Sequence, residues 1–317
     1  MLPMLCAALA LVPTISQAAD NYPNRPIRLI TPAAPGGTTD ILARLLAARL
    51  TETWKQPAVV DNRASASGVT AAEMTKAAAA DGYTLYLPYH QHTINAAILP
   101  KLSFHPVNDF TPITQMTEAA LLLIVNPSHP AKTLKEFVDW SKTTKDAINF
   151  GSAGIGSGGH LGGEMYKLMT GAKAQHIPYK GTGPAIVDLL AGQYHFNFAG
   201  LAGALVQVRA GKLRGLAVTS GKRLPALPDT PAVAESLPGF EVVGWYGVLA
   251  PPKLPKPVLD KLHDETVKYV RSPEFRKRVE TDGAQAVGSS PEVFRQFMLA
   301  DLKKWADVVK RSGAKFE

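Results

Sequence analysis

The chain has 317 residues, with 34 Lys and Arg against 26 Asp and Glu for a formal charge of +8, 46% hydrophobic residues and one cysteine. That apolar content supports a packed core and, since Gly and Pro follow no period, excludes a collagen, a coiled coil and a disordered tail. The length exceeds what one core usually fills, so two lobes of roughly 120 to 180 residues are expected, with a single large barrel as the competing architecture.

Residues 1–19 read as a signal peptide: an apolar run of about a dozen residues, then Ser16-Gln17-Ala18 as a cleavage site ahead of the first charge, Asp20. The run is too short for a bilayer, which takes about 20 residues, and it departs from the usual pattern in having no Lys or Arg before it. Cys6 falls inside it. A mature chain without cysteine suits export and excludes disulfide scaffolds, thiolate metal sites and cysteine catalysis.

From Asn21 onward short β-branched runs alternate with longer helical patterns, the signature of an α/β fold. A strand over Ile27 to Thr31 is followed by a helix carrying Ile41, Leu42, Leu45, Leu46 and Leu50. Next come a strand at Val59 to Asp61, a helix over Val69 to Ala80 and a strand at Tyr83 to Leu87; Pro88 to Met116 shows little periodicity. A second block opens with the wholly apolar Leu121 to Val125, as in a strand covered on both faces. It holds helices over Leu134 to Thr144, Leu161 to Met169 and Pro184 to Ala191. Its strands are Ala147 to Phe150, Gln175 to Tyr179, Tyr194 to Phe198 and Leu213 to Thr219. Then Val242 to Leu249 reads as apolar and Pro257 to Arg271 and Pro291 to Arg311 as helices. The last helices need a lobe to pack on and the first is helix-poor, so the chain is expected to cross twice, near Thr117 and near Gly244. The division is 20–117 plus 244–317 for lobe one and 118–243 for lobe two.

The informative positions follow the strands, because in open α/β sheets ligands bind beyond the strand carboxyl ends, where helix amino termini offer unpaired N–H groups and partial positive charge. Four loops fit. Thr31 to Asp40 contains Gly36 and Gly37, which admit close approach, with Thr38, Thr39 or Asp40 as caps. Asn62 to Gly68 carries Ser65 and Ser67, Gly151 to His160 carries Ser152 and Ser157, and Lys180 to Pro184 places Pro184 early in its helix. Two loops fall in each lobe. If the lobes face one another, the cleft is lined by amides and hydroxyls with few acids, which suits a small carboxylate.

Catalytic constellations are missing. Gly154, Gly156 and Gly159 have dinucleotide spacing, but the acid about 20 residues on is absent; there is no P-loop and no G-x-S-x-G. His90 and His92 form an H-x-H pair without H-E-x-x-H or clustered acids, leaving metal, ligand contact or plain loop as readings. The basic runs Arg271 to Arg278 and Lys303 to Lys315 interleave with acids like solvated helix faces and match no nucleic-acid motif; the excess charge steers anions at most.

These residues together carry a family likeness. The chain resembles the extracytoplasmic solute receptors of the tripartite tricarboxylate transporter system, the Bug-type receptors. The matching segments are Tyr22-Pro-x-Arg-Pro-Ile, Pro-x-x-x-Gly-Gly-x-x-Asp ending at Asp40, Asp81-Gly-Tyr-Thr-Leu85, and Asn95 through Asn108-Asp-Phe110. They continue with Gly158 to Leu161, Ile177-Pro-Tyr-Lys-Gly181, Gly211 through Ser220, Leu227 through Ser236, and Trp305 in the final helix. The resemblance implies a periplasmic-binding-protein fold, type II-like, of two α/β lobes around a ligand cleft. It also implies a non-catalytic monomer, without cofactor or metal, that delivers its ligand to integral membrane permease subunits.

By that resemblance Ala33, Ala34, Pro35, Gly36, Gly37 and Thr38 hold the ligand carboxylate through backbone groups and waters, with Asp40 closing the motif. His90, His92, Thr93, Ser152, Ser157 and Thr182 complete the pocket. One position departs: relatives often carry an acid after the strand ending at Phe198, where this chain has Ala199-Gly200. The change argues against amino-acid ligands and leaves room for a longer or aromatic body. His90 or His92 is expected to meet a distal carboxylate, His92 more strongly when protonated. The expectation is a periplasmic receptor for a small organic carboxylate, dicarboxylate or aromatic, with no nucleic-acid partner. The alternatives are a ligand sensor feeding a signalling partner, or a metal- or cofactor-dependent enzyme.

Overall fold

Ile27, Leu29 and Ile30 are buried in the first strand, β1 (Ile27–Thr31): parallel neighbours flank its edges, Ile27 and Leu29 pack in one cluster with Leu42 and Leu46, and Ile30 packs in another with Ala71 and Ala72. This computed structural model describes residues 21–313 except Ala34, Gly37, Ala66, Ser67, Pro100, Lys180 and Asp282. The expected signal peptide with Cys6, and the loop candidates Ala34, Gly37, Ser67 and Lys180, lie outside the described residues.

The first half of the sheet follows the expected order. α1 (Thr38–Trp54) buries Leu42, Leu46 and Leu50 against β1, and β2 (Ala58–Asn62), α2 (Val69–Lys76) and β3 (Thr84–Tyr86) complete it. β2 and β3 flank β1, both parallel to it. The second half is built from β5 (Ile148–Ser152), β6 (Ala174–Pro178), β7 (Phe196–Gly200) and β8 (Arg214–Val218), with α4 (Leu134–Thr143) leading into β5, α5 (Gly158–Thr170) between β5 and β6, and α6 (Thr182–Leu190) between β6 and β7. Short polar side chains set the helix starts: Thr133 accepts from the Glu136 amide and Ser157 from the His160 amide.

One long strand joins the halves. β4 (Thr111–Val125) pairs with β9 (Val243–Ala250) from Thr111↔Ala250 to Ala120↔Val243, then pairs with β7 and β8 from Leu121 or Leu122 to Val125. The sheet order is β2-β1-β3-β9-β4-β7-β5-β6, with β8 and the short β10 (Gln285–Ala286) also on β4.

Two helices emerge where none was expected, α3 (Gln91–Ile98) and α7 (Leu201–Arg209), while α9 (Pro273–Thr281) overlaps the basic run whose spacing reads as a solvated helix face. Two more close the chain, α8 (Lys256–Val270) and α10 (Pro291–Ser312). α10 is not confined to the first half. Phe294 and Met298 pack in a cluster with Trp245 and Tyr86, whereas Trp305 and Val308 join a cluster with Phe150 and Phe196. Among the described residues no helix is long and apolar enough to cross a membrane.

Candidate functional site

A cavity of about 360 Å³ opens where β4 passes from one half-sheet to the other. Its walls are Thr117, Ala119, Ala120 and Leu121 of β4, Gly244 and Tyr246 of β9, Thr38 and Leu42 of α1, Thr182 of α6, and Gly200 to Gly203 at the start of α7. His90 closes one side, and Val279 and Ala284 another. Three helices thus present their first turns to one space. The residues before α6 and α7, Gly181 and Gly200, offer no side-chain cap, so the first N–H groups of both helices remain for a ligand. None of the described lining residues carries a charged side chain. The attraction for an anion therefore comes from helix ends and backbone amides.

The β4–β9 ribbon aims its side chains by strand periodicity. Thr117 faces Tyr246 and Ala119 faces Gly244 in register, and side chains two apart share a face. Tyr246 is hydrogen-bonded to Thr38, which ties the first turn of α1 to the ribbon, and burial raises its pKa so that the hydroxyl stays protonated. Gly244 makes room for His90: a Cβ there would lie 3.3 Å from the imidazole Nδ1. The His90 amide donates to Trp245 O at 3.0 Å, holding the residue on β9. Burial pushes the His90 pKa down to about 4, so the ring is neutral near pH 7; the Asp301 charge opposes that shift and Lys304 adds to it.

Of the expected site residues, Thr38, His90, Thr182 and Gly200 meet at this cavity. Among the described residues the other expected ones are not in its wall, and several brace the neighbouring loops and core. Asp40 is buried; its Oδ2 accepts from the Gly36 amide and Arg44 Nε, both at 2.9 Å, and its Oδ1 from Asn62 Nδ2 at 2.8 Å. Asn62 Nδ2 also donates to Ala33 O, so Asp40 and Asn62 brace the loop holding Ala33, Pro35 and Gly36. The Arg44 guanidinium, ahead of the two amide donors, holds the Asp40 carboxyl down at about 2.

His92 departs from expectation. Its Nε2 lies 2.8 Å from Pro106 O and its ring packs against Phe104, Phe110 and Tyr86. The expected contact with a distal carboxylate is corrected on that ground: the ring is turned into the core of the first half. The expected gain on protonation fails too, because burial drives its pKa down to about 4. Thr93 is also buried, its one hydroxyl proton directed to Asp301 Oδ2 at 2.6 Å with His90 O 3.0 Å from the same hydroxyl oxygen. Ser152 is buried with its hydroxyl 2.7 Å from His176 Nε2, Ser157 caps α5, and Ala199 lies in a core cluster with Leu122 and Leu201. Among the described residues no three His, Cys, Asp or Glu side chains group as a metal site.

Sequence reading missed Thr117, Tyr246 and Asp301. Thr117 and Tyr246 lie in strands whose partners were not assigned. Asp301 sits in a helix whose charges resemble a solvated face, yet it accepts from Trp245 Nε1 at 3.1 Å and pairs with Lys304 at 3.0 Å. The signal for it was its spacing from Met298 and Trp305 on the buried stripe.

An α/β sheet whose strand carboxyl ends and helix amino termini converge on one cavity defines a solute-binding protein of the periplasmic type. Residues 42–314 match the model of the tripartite tricarboxylate transporter family receptor, and the chain belongs to that family. It is 34% identical over 303 residues to Protein BugT of Bordetella pertussis, covering 95% of this chain and 93% of that protein. Two solved structures are similar throughout. The R. palustris protein Rpa4515 with adipate is 33% identical with a TM-score of 0.77, over 92% of this chain and 99% of that one. MatC of Rhodopseudomonas palustris with bound malate is 32% identical with a TM-score of 0.72, over 91% of this chain and 100% of that one.

Proposed function

We propose that the protein is a periplasmic receptor that captures a small organic carboxylate between two lobes and hands it to the permease subunits of a tripartite tricarboxylate transporter. The observation that carries this reading is the convergence of the first turns of α1, α6 and α7 on one cavity, two of them without side-chain caps. Helix ends hold an anion with donors fixed in advance, so binding needs little side-chain ordering. The adipate and malate in the two relatives belong to the same chemical class. Cleavage of residues 1–19 would deliver the mature chain to the periplasm.

In this reading the half-sheets are the two lobes, divided near Thr117 and Gly244, and β4 and β9 form the connection about which they close. The carboxylate lies against the amides of Thr182 and of Leu201 to Gly203, with the Ala33 to Thr38 loop completing its shell. Thr38 and Tyr246 shape the floor, and the ligand body lies along Leu42, Leu121 and Leu201. The cavity size falls in the range of roughly 300 to 1,000 Å³ that small-ligand sites occupy. The proposed role is capture and release of the ligand unchanged, as in the family of solute receptors to which the chain belongs.

Thermal-shift measurements against carboxylates, neutral sugars and metal cations test it. Stabilisation by carboxylates alone is expected. Stabilisation by sugars or cations, with none by any carboxylate, would contradict it.

A further inference from the structure

Two residues of the cavity wall each carry a buried polar atom with no hydrogen-bond partner among the described residues. The Oγ1 of Thr117, a residue 1% exposed, and the buried Nδ1 of His90 make no hydrogen bond, although both residues line the cavity. A buried polar atom without a partner is costly, and native structures rarely keep one unless something else fills the role. The register brings the two side chains to one area. Thr117 and Ala119 point from one face of β4, Gly244 and Tyr246 from the matching face of β9, and the His90 ring rests over Gly244.

We propose that Thr117 and His90 form a neutral hydrogen-bonding end to the cavity, so that the ligand is a monocarboxylate bearing an uncharged hydroxyl or carbonyl at its far end. The inference rests on the carboxylate reading above and narrows it. A hydroxyl can donate to one of these groups and accept from the other, and a carbonyl can accept from either as a donor. The neutral state of His90 fits this role, since burial holds the ring unprotonated. A second carboxylate placed here would lose its water and gain neutral partners alone among the described side chains of the wall. Asp301, whose charge reaches His90, is already engaged by Lys304, Trp245 and Thr93.

Calorimetric Kd values for two length-matched series test the proposal: hexanoate, 6-hydroxyhexanoate and adipate; benzoate, 4-hydroxybenzoate and terephthalate. In at least one series the hydroxy acid is expected to bind about tenfold or more tightly than both companions. T117V is expected to weaken the hydroxy acid about tenfold more than the unsubstituted acid, and H90F to act in the same direction. The wild-type comparison needs no variant, so a misfolded substitution leaves the test intact. Tightest binding of the dicarboxylate in both series, or a hydroxyl preference that survives both substitutions, would overturn the proposal while leaving carboxylate capture standing. Binding of no acid, with stabilisation by neutral sugars, would overturn both.

Discussion

Asp301 Oδ2, on the last helix, accepts a hydrogen bond from the indole Nε1 of Trp245 at 3.1 Å. The same oxygen accepts from Thr93 at 2.6 Å, and Oδ1 pairs with Lys304 at 3.0 Å. One buried carboxylate thereby joins α10, β9 and the His90 to Thr93 segment beside the cavity. Asp301→Ala would strand an indole N–H, a threonine hydroxyl and a lysine. A loss of about 3 kcal/mol in unfolding free energy is expected by denaturant titration, with weaker ligand binding as His90 loses its support. Unchanged stability would remove Asp301 from this role.

Gly200 stands before α7 with space around it: a Cβ there meets nothing within 4 Å, and its φ of −54° suits any residue. Gly200→Asp should therefore fold, and a carboxylate at this position is favourable to the helix end itself. The same charge would face the incoming ligand carboxylate. Stability equal to or above wild type, with carboxylate affinity reduced roughly 100-fold, is expected from combined thermal and calorimetric measurements.

His160 and His176 stack at 3.8 Å with their planes 9° apart, directly behind the loop of Ser152 to Ser157. Burial, then the His176 and Lys167 charges, push His160 down to about 3; burial, then Lys167, pushes His176 down to about 4. Both folded values lie below the ordinary 6.5, so the unfolded chain takes up protons first as pH falls. Stability should be complete above about pH 6.5 and decline as pH drops toward 4. A fall in Tm on the order of 5 °C between pH 7 and pH 5 is expected, with His90, His92 and His129 contributing in the same direction. His176→Gln, which keeps a donor for Ser152 and cannot be charged, should flatten the decline; an identical slope would exclude the stack as a source.

Gly163 lies in α5 where a Cβ would run into the ring of Phe150. Phe150 is fully buried between the helix and Phe196, so it has nowhere to move. Gly163→Ala is expected to lose about 1 to 3 kcal/mol through overpacking, despite the better helix propensity of alanine. Denaturant titration measures this, and ligand affinity of the folded fraction should be retained.

The regular parts of this fold are legible because their sequences obey one period. Leu121 to Val125 is apolar throughout and Ile27 to Thr31 is apolar save for Arg28 and Thr31, and both are strands with four of their five residues buried. The rest of β4 escaped notice because Thr114, Gln115 and Thr117 are buried polar residues that interrupt the pattern. α3 was hidden likewise by His92, Thr93 and Asn95, each a buried polar residue, with His92 meeting Pro106 and Thr93 meeting Asp301 of the last helix. α7 contains Gly203 and four valines or leucines, Leu201, Leu205, Val206 and Val208, a composition that reads equally as strand. The loops around the cavity are visible from their glycines, threonines and serines. Which of their side chains reach the ligand and which brace the loop depends on contacts across the sheet. Asp40 is the example: its motif position suggests ligand contact, and its bonds to Gly36, Arg44 and Asn62 make it a brace.

Anion capture by helix amino termini is tested most directly by one calorimetric pair: the best carboxylate from the thermal-shift panel and its primary amide. The two have nearly the same shape and differ in charge. The amide is expected to bind at least about 100-fold more weakly, because the first turns of α6 and α7 favour the negative group and the amide brings N–H donors toward N–H donors. Equal affinities would show that shape and apolar contact select the ligand, and would contradict recognition by the helix ends.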